Sequence, residues 1–459
     1  MGLLAPMTRS TLVDFNSHPR ACSYRGRMML DPFEMTALIL AATTLASWIN
    51  ARTLKLPVAV GLLVVGLLTS ACVGLADLAM PKIGIGPLFG LIERQIDFPY
   101  LVLNIMLAYL LFAGAMNVNL AALIGRGWAV AVLAVIGTVI TTMLIAAAFW
   151  GVCRLVGIEM SLTWAMVFGA LITPTDPIAV LAMTKRTDLQ PGLQAQLEGE
   201  ALFNDGVAVV LFKALLAYAV SGSAGGAGGH MDLAPLAEHA AIEAFGGIAL
   251  GLVLAVVAVW IMAAVDDWIT ETLITFATAS LVYAVALNLG LSGPLGVVAA
   301  GLVMGSGWSE RSMAPRARAY IHSFWHVIDE GMNAVLFFLV GIKAFSLQLS
   351  FVALVLMASA AVMVLAARWM TVSALGAGLM LAGKRLPLKL YNVLTWAGVR
   401  GGLSIALVLS IPDFPGRQAI FAAALGVVVF SIVVQSMTME ALALRTGYGS
   451  AKANPEPTH

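Results

Sequence analysis

The chain has 459 residues, of which 61% are apolar and only 11% are charged. Soluble domains have roughly 45–50% apolar and about 25% charged residues, so this composition excludes an ordinary soluble protein and predicts an all-α polytopic membrane protein. Its 25 basic and 24 acidic side chains nearly balance, so no basic excess points to nucleic acid as a partner.

Long apolar runs separated by polar breaks follow one another along the whole chain. A bilayer core about 30 Å thick needs roughly 20 apolar residues for each helical crossing. This length predicts thirteen membrane spans, at residues 33–51, 56–76, 99–116, 127–150, 161–184, 197–220, 241–264, 271–289, 292–307, 325–346, 350–380, 391–411 and 418–443. The ninth span is short, and the eleventh is long enough to tilt or break.

The spans divide the chain into a membrane domain and two tails. We predict that residues 1–32 are a poorly ordered tail or a misassigned extension, that 33–443 form the transmembrane domain, and that 444–459 are a short cytoplasmic tail. Lys and Arg concentrate in the loops on the face of the C-terminus, which predicts a cytoplasmic C-terminus and an external N-terminus. A Gly/Ser/Ala segment at 221–229 is a predicted flexible linker.

The fifth span contains two prolines in the sequence Thr173-Pro174-Thr175-Asp176-Pro177. A regular helix cannot continue there, because a proline has no amide to bond the carbonyl four residues earlier. Transporters use such broken helices near the bilayer midplane to present backbone oxygens to ions. Asp176 is therefore a candidate functional acid. The alternative is that it caps the second half of the helix.

The sixth span carries Glu200, Asn204 and Asp205 in apolar surroundings. Ionisable residues at membrane depth cost about 2.5–3.5 kcal/mol on insertion scales, which makes them functional candidates. Helical spacing puts Glu200 and Asn204 on one face and Asp205 on the next. If Asp205 faces the break at Asp176, two carboxylates and free carbonyls form a site for a small hard cation, with Asn204 holding Asp176 or the broken backbone. The alternative is a structural pair of Asp205 with a base.

A proton and a cation are expected to compete for the carboxylate of Asp205, because either one neutralises a desolvated charge that lies beside a second acid. This competition is the chemical basis of the function that the residues predict.

The twelfth span contains Arg400 among three glycines, which allow close packing or local unwinding. A buried guanidinium needs a partner, and Glu200, on the helix face turned away from Asp205, is the predicted one. The alternative is that Arg400 contacts the transported species directly.

Other polar residues in the spans are interpreted as structural or interfacial. Lys213 is expected to snorkel or pair, and Arg368 is a weaker site candidate still. Asp329, Glu330 and Asn333 open the tenth span near its cytoplasmic end, where acids are solvated or line a funnel. Of these three, only Glu330 is kept as a functional candidate.

In their order and spacing, these motifs resemble the NhaP-type members of the monovalent cation:proton antiporters, which are related to the animal sodium/proton exchangers. The resemblance covers most of the chain and rests on residues 173–177, 198–205, 292–294, 324–341 and 398–402. It implies thirteen helices with inverted repeats, two crossed broken helices in the fifth and twelfth spans, and a homodimer. No cofactor is implied.

The resemblance also implies an activity and a site. The protein would exchange a monovalent cation, Na⁺ or else Li⁺ or K⁺, for protons in a bacterial inner membrane. Asp205 would bind cation and proton alternately, with Asp176, Asn204 and the oxygens of Thr173 and Thr175 completing the site. Asn before the essential Asp is similar to the branch that exchanges one cation for one proton.

Three further positions bear on this resemblance. Glu200 and Arg400 match the family's buried ion pair, whereas Ala201 stands where many relatives have a serine that ligates the cation.

Three rival functions stay open: a transporter of an organic anion with Arg400 as substrate clamp, a channel, and an enzyme. Cation-stimulated proton flux without an organic substrate distinguishes the antiporter from the first of these rivals.

Overall fold

The structure is a computed structural model, which describes residues 31–82, 84, 86–87, 89–90, 95–125, 127–176, 191–224, 233–347, 350–381 and 388–447. Within these ranges the chain is helical and contains no strand. In chain order the helices are α1 (Pro32–Ile49), α2 (Val58–Ala79), α3 (Phe98–Met116), α4 (Leu120–Gly125), α5 (Gly127–Val156), α6 (Leu162–Ile172), α7 (Pro191–Ala224), α8 (Leu233–Met262), α9 (Trp268–Asn288), α10 (Gly293–Met304), α11 (Gly307–Ser312), α12 (Pro315–Lys343), α13 (Phe351–Leu381), α14 (Leu388–Trp396), α15 (Gly402–Leu409) and α16 (Arg417–Thr446).

The predicted spans fall on these helices. Among the described residues, nine helices are long and apolar enough to cross a membrane, which confirms the all-α polytopic class. The other four predicted spans fall on α1, on the shorter helices α6 and α10, and on the pair α14 and α15. The total of thirteen crossings stays a prediction.

Several predicted boundaries differ from those of the helices. Helix α7 runs to Ala224, so the first part of the predicted linker at 221–229 is helical, and the rest lies outside the described residues. The eleventh span was expected to tilt or break, and helix α13 is continuous, so the break does not occur. Nearly all of the N-terminal tail and most of the C-terminal tail lie outside the described residues.

Side-chain caps fix the starts of helices that follow short turns. Ser161, Asp267, Ser292 and Ser306 each accept a hydrogen bond from a backbone amide in the first turn of α6, α9, α10 and α11. Such a cap stabilises a helix by about 1 kcal/mol, because it satisfies an amide that has no partner within the helix. The serines and the aspartate therefore define where these apolar segments begin.

Small residues allow the helices to pack closely, as is typical in membranes. A Cβ atom on Gly251 of α8 would lie 2.0 Å from the carbonyl oxygen of Gly296 in α10. At the contact between α2 and α12, a Cβ on Gly341 would lie 2.8 Å from the Cα of Gly66. Any larger side chain at these positions would push the paired helices apart.

Two helical interruptions meet inside this bundle. Helix α6 ends at Ile172 and residues 173–176 are not helical, while α14 and α15 are separated by residues 397–401. The amide of Asp176 donates a 2.7 Å hydrogen bond to the carbonyl of Val399, which joins the two interruptions. The predicted meeting of two broken segments is therefore present. The second half of the fifth span lies outside the described residues.

Candidate cation site

The carbonyl of Thr173, one of the two that the prolines of the fifth span set free, is satisfied by side chains. The oxygen of Thr173 accepts hydrogen bonds from Nη1 of Arg400 and from Nδ2 of Asn204, the latter at 3.1 Å. Nη1 of Arg400 also lies 3.0 Å from the oxygen of Pro174. A guanidinium at the C-terminal end of α6 both satisfies these oxygens and offsets the negative end of the helix dipole.

Glycines in the second interruption let it approach the first. A Cβ on Gly401 would lie 2.5 Å from Oδ2 of Asp176, so a side chain there would displace the carboxylate. A Cβ on Gly398 would lie 3.3 Å from Nε of Arg368. Together with the bond from Asp176 to Val399, these contacts hold the acid against unwound backbone.

A small cavity lies where the interruptions meet α3, α7 and α12. Its volume is about 40 Å³, above the ~10–15 Å³ that one water molecule needs. Four of its lining residues are polar: Thr175, Asp176, Asp205 and Asn333. The remaining lining residues are Val102, Leu107, Leu110, Leu111, Pro174, Leu336, Gly401, Gly402 and Leu403. Polar oxygens thus converge on an otherwise apolar chamber.

Asp205 lines this cavity and has a carboxylate oxygen that is available to accept a bond. Its side chain is buried, its carboxylate accepts a hydrogen bond from the amide of Thr175, and it interacts electrostatically with Asp176 and Arg400. Its Oδ1 atom is buried and has no hydrogen-bond partner in the described part of the chain. Because a buried carboxylate oxygen is costly to leave unpaired, it is an acceptor for a proton or a cation.

Asn204 does not line the cavity, but it forms hydrogen bonds to residues around it. Its Oδ1 lies 2.5 Å from the hydroxyl of Thr138 in α5, and its Nδ2 lies 3.4 Å from Oγ1 of Thr175 in addition to its bond to Thr173. Asn204 therefore holds the broken backbone, one of its two predicted roles. Of the predicted cation-site residues, Asp205, Asp176 and Thr175 line the cavity, whereas Asn204 and Thr173 position them.

The predicted partner of Glu200 was wrong. Glu200 forms a buried ion pair with Nη2 of Arg368 in α13. Arg400 uses Nη1 for the carbonyls of the first interruption instead. Helical spacing correctly turned Glu200 away from Asp205, but it does not identify which helix lies opposite, and α13 occupies that side.

Comparison with known proteins shows the family of the protein. Residues 39–445 match the family described as sodium/hydrogen exchanger, transmembrane. The chain belongs to the sodium/hydrogen exchanger family. It is 34% identical to the Na⁺/H⁺ antiporter NhaP of Pseudomonas aeruginosa, over 93% of this chain and all of the relative, and 31% identical to the Na⁺/H⁺ antiporter NhaH of Halobacillus aidingensis, over 89% and 97% of the two chains.

A solved structure of the same fold is similar to the whole helical bundle. The sodium proton antiporter MjNhaP1 of Methanocaldococcus jannaschii, determined at pH 8, matches with a TM-score of 0.65 at 20% identity, and covers 89% of this chain and 97% of its own. The predicted antiporter fold is thereby confirmed. The sodium/hydrogen exchanger family comprises transporters rather than enzymes.

Three further residues that the sequence analysis singled out have a clear place in the fold. Ala201 packs in an apolar cluster with Leu197 of α7, Val372 of α13 and Val393 of α14, and it does not line the described cavity. Glu330 is exposed on α12 and likewise lies off the cavity wall. Lys213 pairs with Glu243 at 3.3 Å, as predicted for a residue that snorkels or pairs.

Sequence reasoning missed Asn333 as a site residue. It lies one helical turn after Asp329, is buried, and lines the cavity with Asp205. The signal that marks it is a carboxamide that precedes the apolar run 334–340 of α12. An amide carries no charge, so the cost of membrane insertion that singled out the acids did not draw attention to it.

Proposed function

We propose that the protein is a secondary active antiporter that exchanges a monovalent cation, foremost Na⁺, for a proton by alternating access at Asp205. The observation that carries this proposal is the buried Oδ1 of Asp205, which lacks a hydrogen-bond partner in the described structure and belongs to a cavity that it shares with Asp176. The relatives' names, Na⁺/H⁺ antiporters, give the same pair of transported ions.

Competition between the two ions follows from the chemistry of this cavity. A desolvated carboxylate binds a proton or a cation, and each neutralises the charge that the other would need. Asp176 and the hydroxyl of Thr175 supply further hard oxygen ligands of the kind that alkali cations prefer. When neither ion is bound, the charge of Asp205 is costly to bury. The protein would therefore change between its inward-facing and outward-facing states with a cation or a proton bound.

The charges of the buried cluster support exchange of one cation for one proton. Glu198, which accepts a hydrogen bond from Gln194, is left out of this cluster. The guanidinium groups of Arg368 and Arg400 and the carboxylates of Glu200, Asp176 and Asp205 carry two positive and three negative charges when all are ionised. The sum is one negative charge. A single Na⁺ or a single proton brings it to zero, so both loaded forms carry the same net charge. Asn204 is neutral and adds no charge to this sum.

Localisation and assembly are part of the same proposal. We infer a multi-pass protein of a bacterial inner membrane, with a cytoplasmic C-terminus, from the distribution of Lys and Arg and from the bacterial relatives. A homodimer is inferred from the resemblance to the NhaP-type branch.

Transport by the purified protein in proteoliposomes tests the proposal. With a pH-sensitive dye inside acid-loaded vesicles, we expect Na⁺ to drive proton efflux, with Li⁺ and K⁺ as further cations to rank. An imposed membrane potential should leave the rate unchanged, because the exchange is one for one. Asp205→Asn and Asp176→Asn should abolish the Na⁺-driven signal, whereas Glu330→Gln, an exposed acid off the cavity, should retain it.

Two results would overturn the proposal: no cation-driven proton flux in the parental protein, or undiminished flux in folded Asp205→Asn. The rival function, transport of an organic anion clamped by Arg400, would use Nε and Nη2 of that residue, which are buried without a hydrogen-bond partner among the described residues, but the position of Arg400 disfavours it. Arg400 is fully buried, does not line the described cavity, and commits Nη1 to two backbone carbonyls. Proton flux that requires an organic anion would revive this rival.

A further inference from the structure

We propose that Asn333 is a ligand of the transported cation and sets the affinity of the site for it, through a neutral oxygen that the competing proton does not use. This inference rests on the proposed exchange at Asp205. It adds to that exchange a residue on α12, a helix from which no cation ligand was predicted.

The surroundings of Asn333 place its carboxamide at the cavity. The residue is buried, and it lines the same cavity of about 40 Å³ as Asp205, Asp176 and Thr175. Its Oδ1 atom is buried and has no hydrogen-bond partner in the described residues, as is also true of Oδ1 of Asp205. Two residues that line one chamber, large enough for a dehydrated ion, therefore each have an oxygen without a partner in the described structure.

The orientation of the amide follows from its hydrogen bonds. Nδ2 of Asn333 lies 2.7 Å from the backbone oxygen of Asp329 and 3.1 Å from its Oδ1. The backbone oxygen can only accept, so the amide nitrogen must face it, and the opposite rotamer would place two acceptors against each other. The oxygen of Asn333 is therefore fixed on the other side, with no local donor to occupy it.

A neutral oxygen biases the competition at Asp205 toward the cation. A cation gains from every oxygen that completes its shell, whereas a proton on Asp205 needs one carboxylate oxygen and gains nothing from a second acceptor. Because the amide adds no charge, it leaves the charge balance of one cation against one proton intact.

The competing explanation is that Asn333 only ties its side chain to the preceding turn of α12. Asn288 of α9 offers a matched control, because its Nδ2 makes the same bond to the carbonyl four residues earlier, at 2.8 Å to Ala284, on an exposed face. If the turn bond alone mattered, Leu at either position would have similar consequences. A ligand role confines the effect on cation affinity to Asn333.

The test compares Asn333→Leu, which has a similar shape but no oxygen, with Asn288→Leu and the parental protein in proteoliposomes. We expect Asn333→Leu to raise the KM for Na⁺ about tenfold, the usual scale for loss of one supporting group at an ion site, with the maximal rate within about twofold. At fixed subsaturating Na⁺, the acid limb of its pH profile should shift upward by up to about one pH unit. Asn288→Leu should change neither quantity.

Cation binding without transport is the second readout. Na⁺ stabilises the protein that binds it, so thermal unfolding in detergent at increasing Na⁺ gives a half-saturating concentration. We expect this concentration to rise about tenfold in Asn333→Leu, or in Asn333→Ala if the leucine variant does not fold. The inference is overturned if parental exchange is intact while the KM and the half-saturating concentration of the variant stay within about twofold of parental values. Failure of the parental protein to exchange Na⁺ for protons would instead overturn the proposed function.

Discussion

Glu200 and Asp205 are two buried carboxylates on the same helix, and they differ in what surrounds them. Their residues are 2% and 4% exposed, respectively, so burial does not distinguish them. Glu200 lies against a guanidinium, Arg368, in an ion pair. Asp205 belongs to a cavity, beside a second acid, with one oxygen that has no hydrogen-bond partner in the described structure.

Under the proposed function, this difference separates a structural charge, Glu200, from a transport charge, Asp205. Both acids are equally costly to place in a membrane, so insertion cost alone selects both as candidates. A permanent countercharge removes the need for a mobile ion at Glu200. Asp205 forms no ion pair within the described residues, and the repulsion from Asp176 opposes its attraction to Arg400, so under the proposed function a proton or a cation supplies the countercharge. The predictions below test this contrast in order of expected effect.

Arg368→Ala should have the largest effect on stability. Removing one member of a buried ion pair leaves Glu200 as an uncompensated charge, at a cost of about 3–5 kcal/mol. Thermal unfolding in detergent should show a large fall in Tm, with less folded protein in the membrane. Adding Glu200→Gln should recover much of the loss, because the orphaned charge is then gone. No recovery in the double variant would contradict the pairing.

Arg400→Ala should destabilise by a smaller amount, about 2–3 kcal/mol, because it removes charged hydrogen bonds to the carbonyls of Thr173 and Pro174. The same thermal unfolding measurement applies. Glu200→Gln should recover less stability in this background than in Arg368→Ala. Equal recovery in both backgrounds would favour the pairing of Glu200 with Arg400 that the sequence alone predicted.

Asp205→Asn should have the smallest effect on stability, within about 1 kcal/mol of the parental protein in the absence of Na⁺. Its amide oxygen can still accept the hydrogen bond from the amide of Thr175, and a buried charge without a fixed base partner disappears. The matched change Glu200→Gln should lower Tm, since it leaves Arg368 without its partner. Finding Asp205→Asn the more destabilising of the two would contradict the distinction between the acids.

Much of the site was predictable because proline and charge leave strong signals in an apolar chain. Pro174 predicted the interruption after α6, and Asn204 was expected to hold Asp176 or the broken backbone. The structure has a 3.1 Å bond from Asn204 to the carbonyl of Thr173. These predictions depended on local rules: a missing amide and a helical repeat of 3.6 residues.

The remaining features depended on which helices are neighbours, and helical periodicity does not encode that. Arg368 and Arg400 are both buried cations, and only the side-chain contacts between α13 and α7 assign Glu200 to the first. Asn333 was not kept as a site candidate because an amide in an apolar helix carries no charge. The helical start of the linker at 221–224 was missed because Ser and Gly were taken as linker residues, although a helix that is already propagating tolerates them at modest cost.

The dependence of exchange on both Na⁺ and pH in the parental protein tests the central claim most directly. If a cation and a proton compete for Asp205, the apparent KM for Na⁺ should rise by up to about tenfold for each unit by which the pH falls on the acid side, while the maximal rate at saturating Na⁺ stays constant. A maximal rate that falls with pH at constant KM would mean that the proton acts at another group, and would contradict the account.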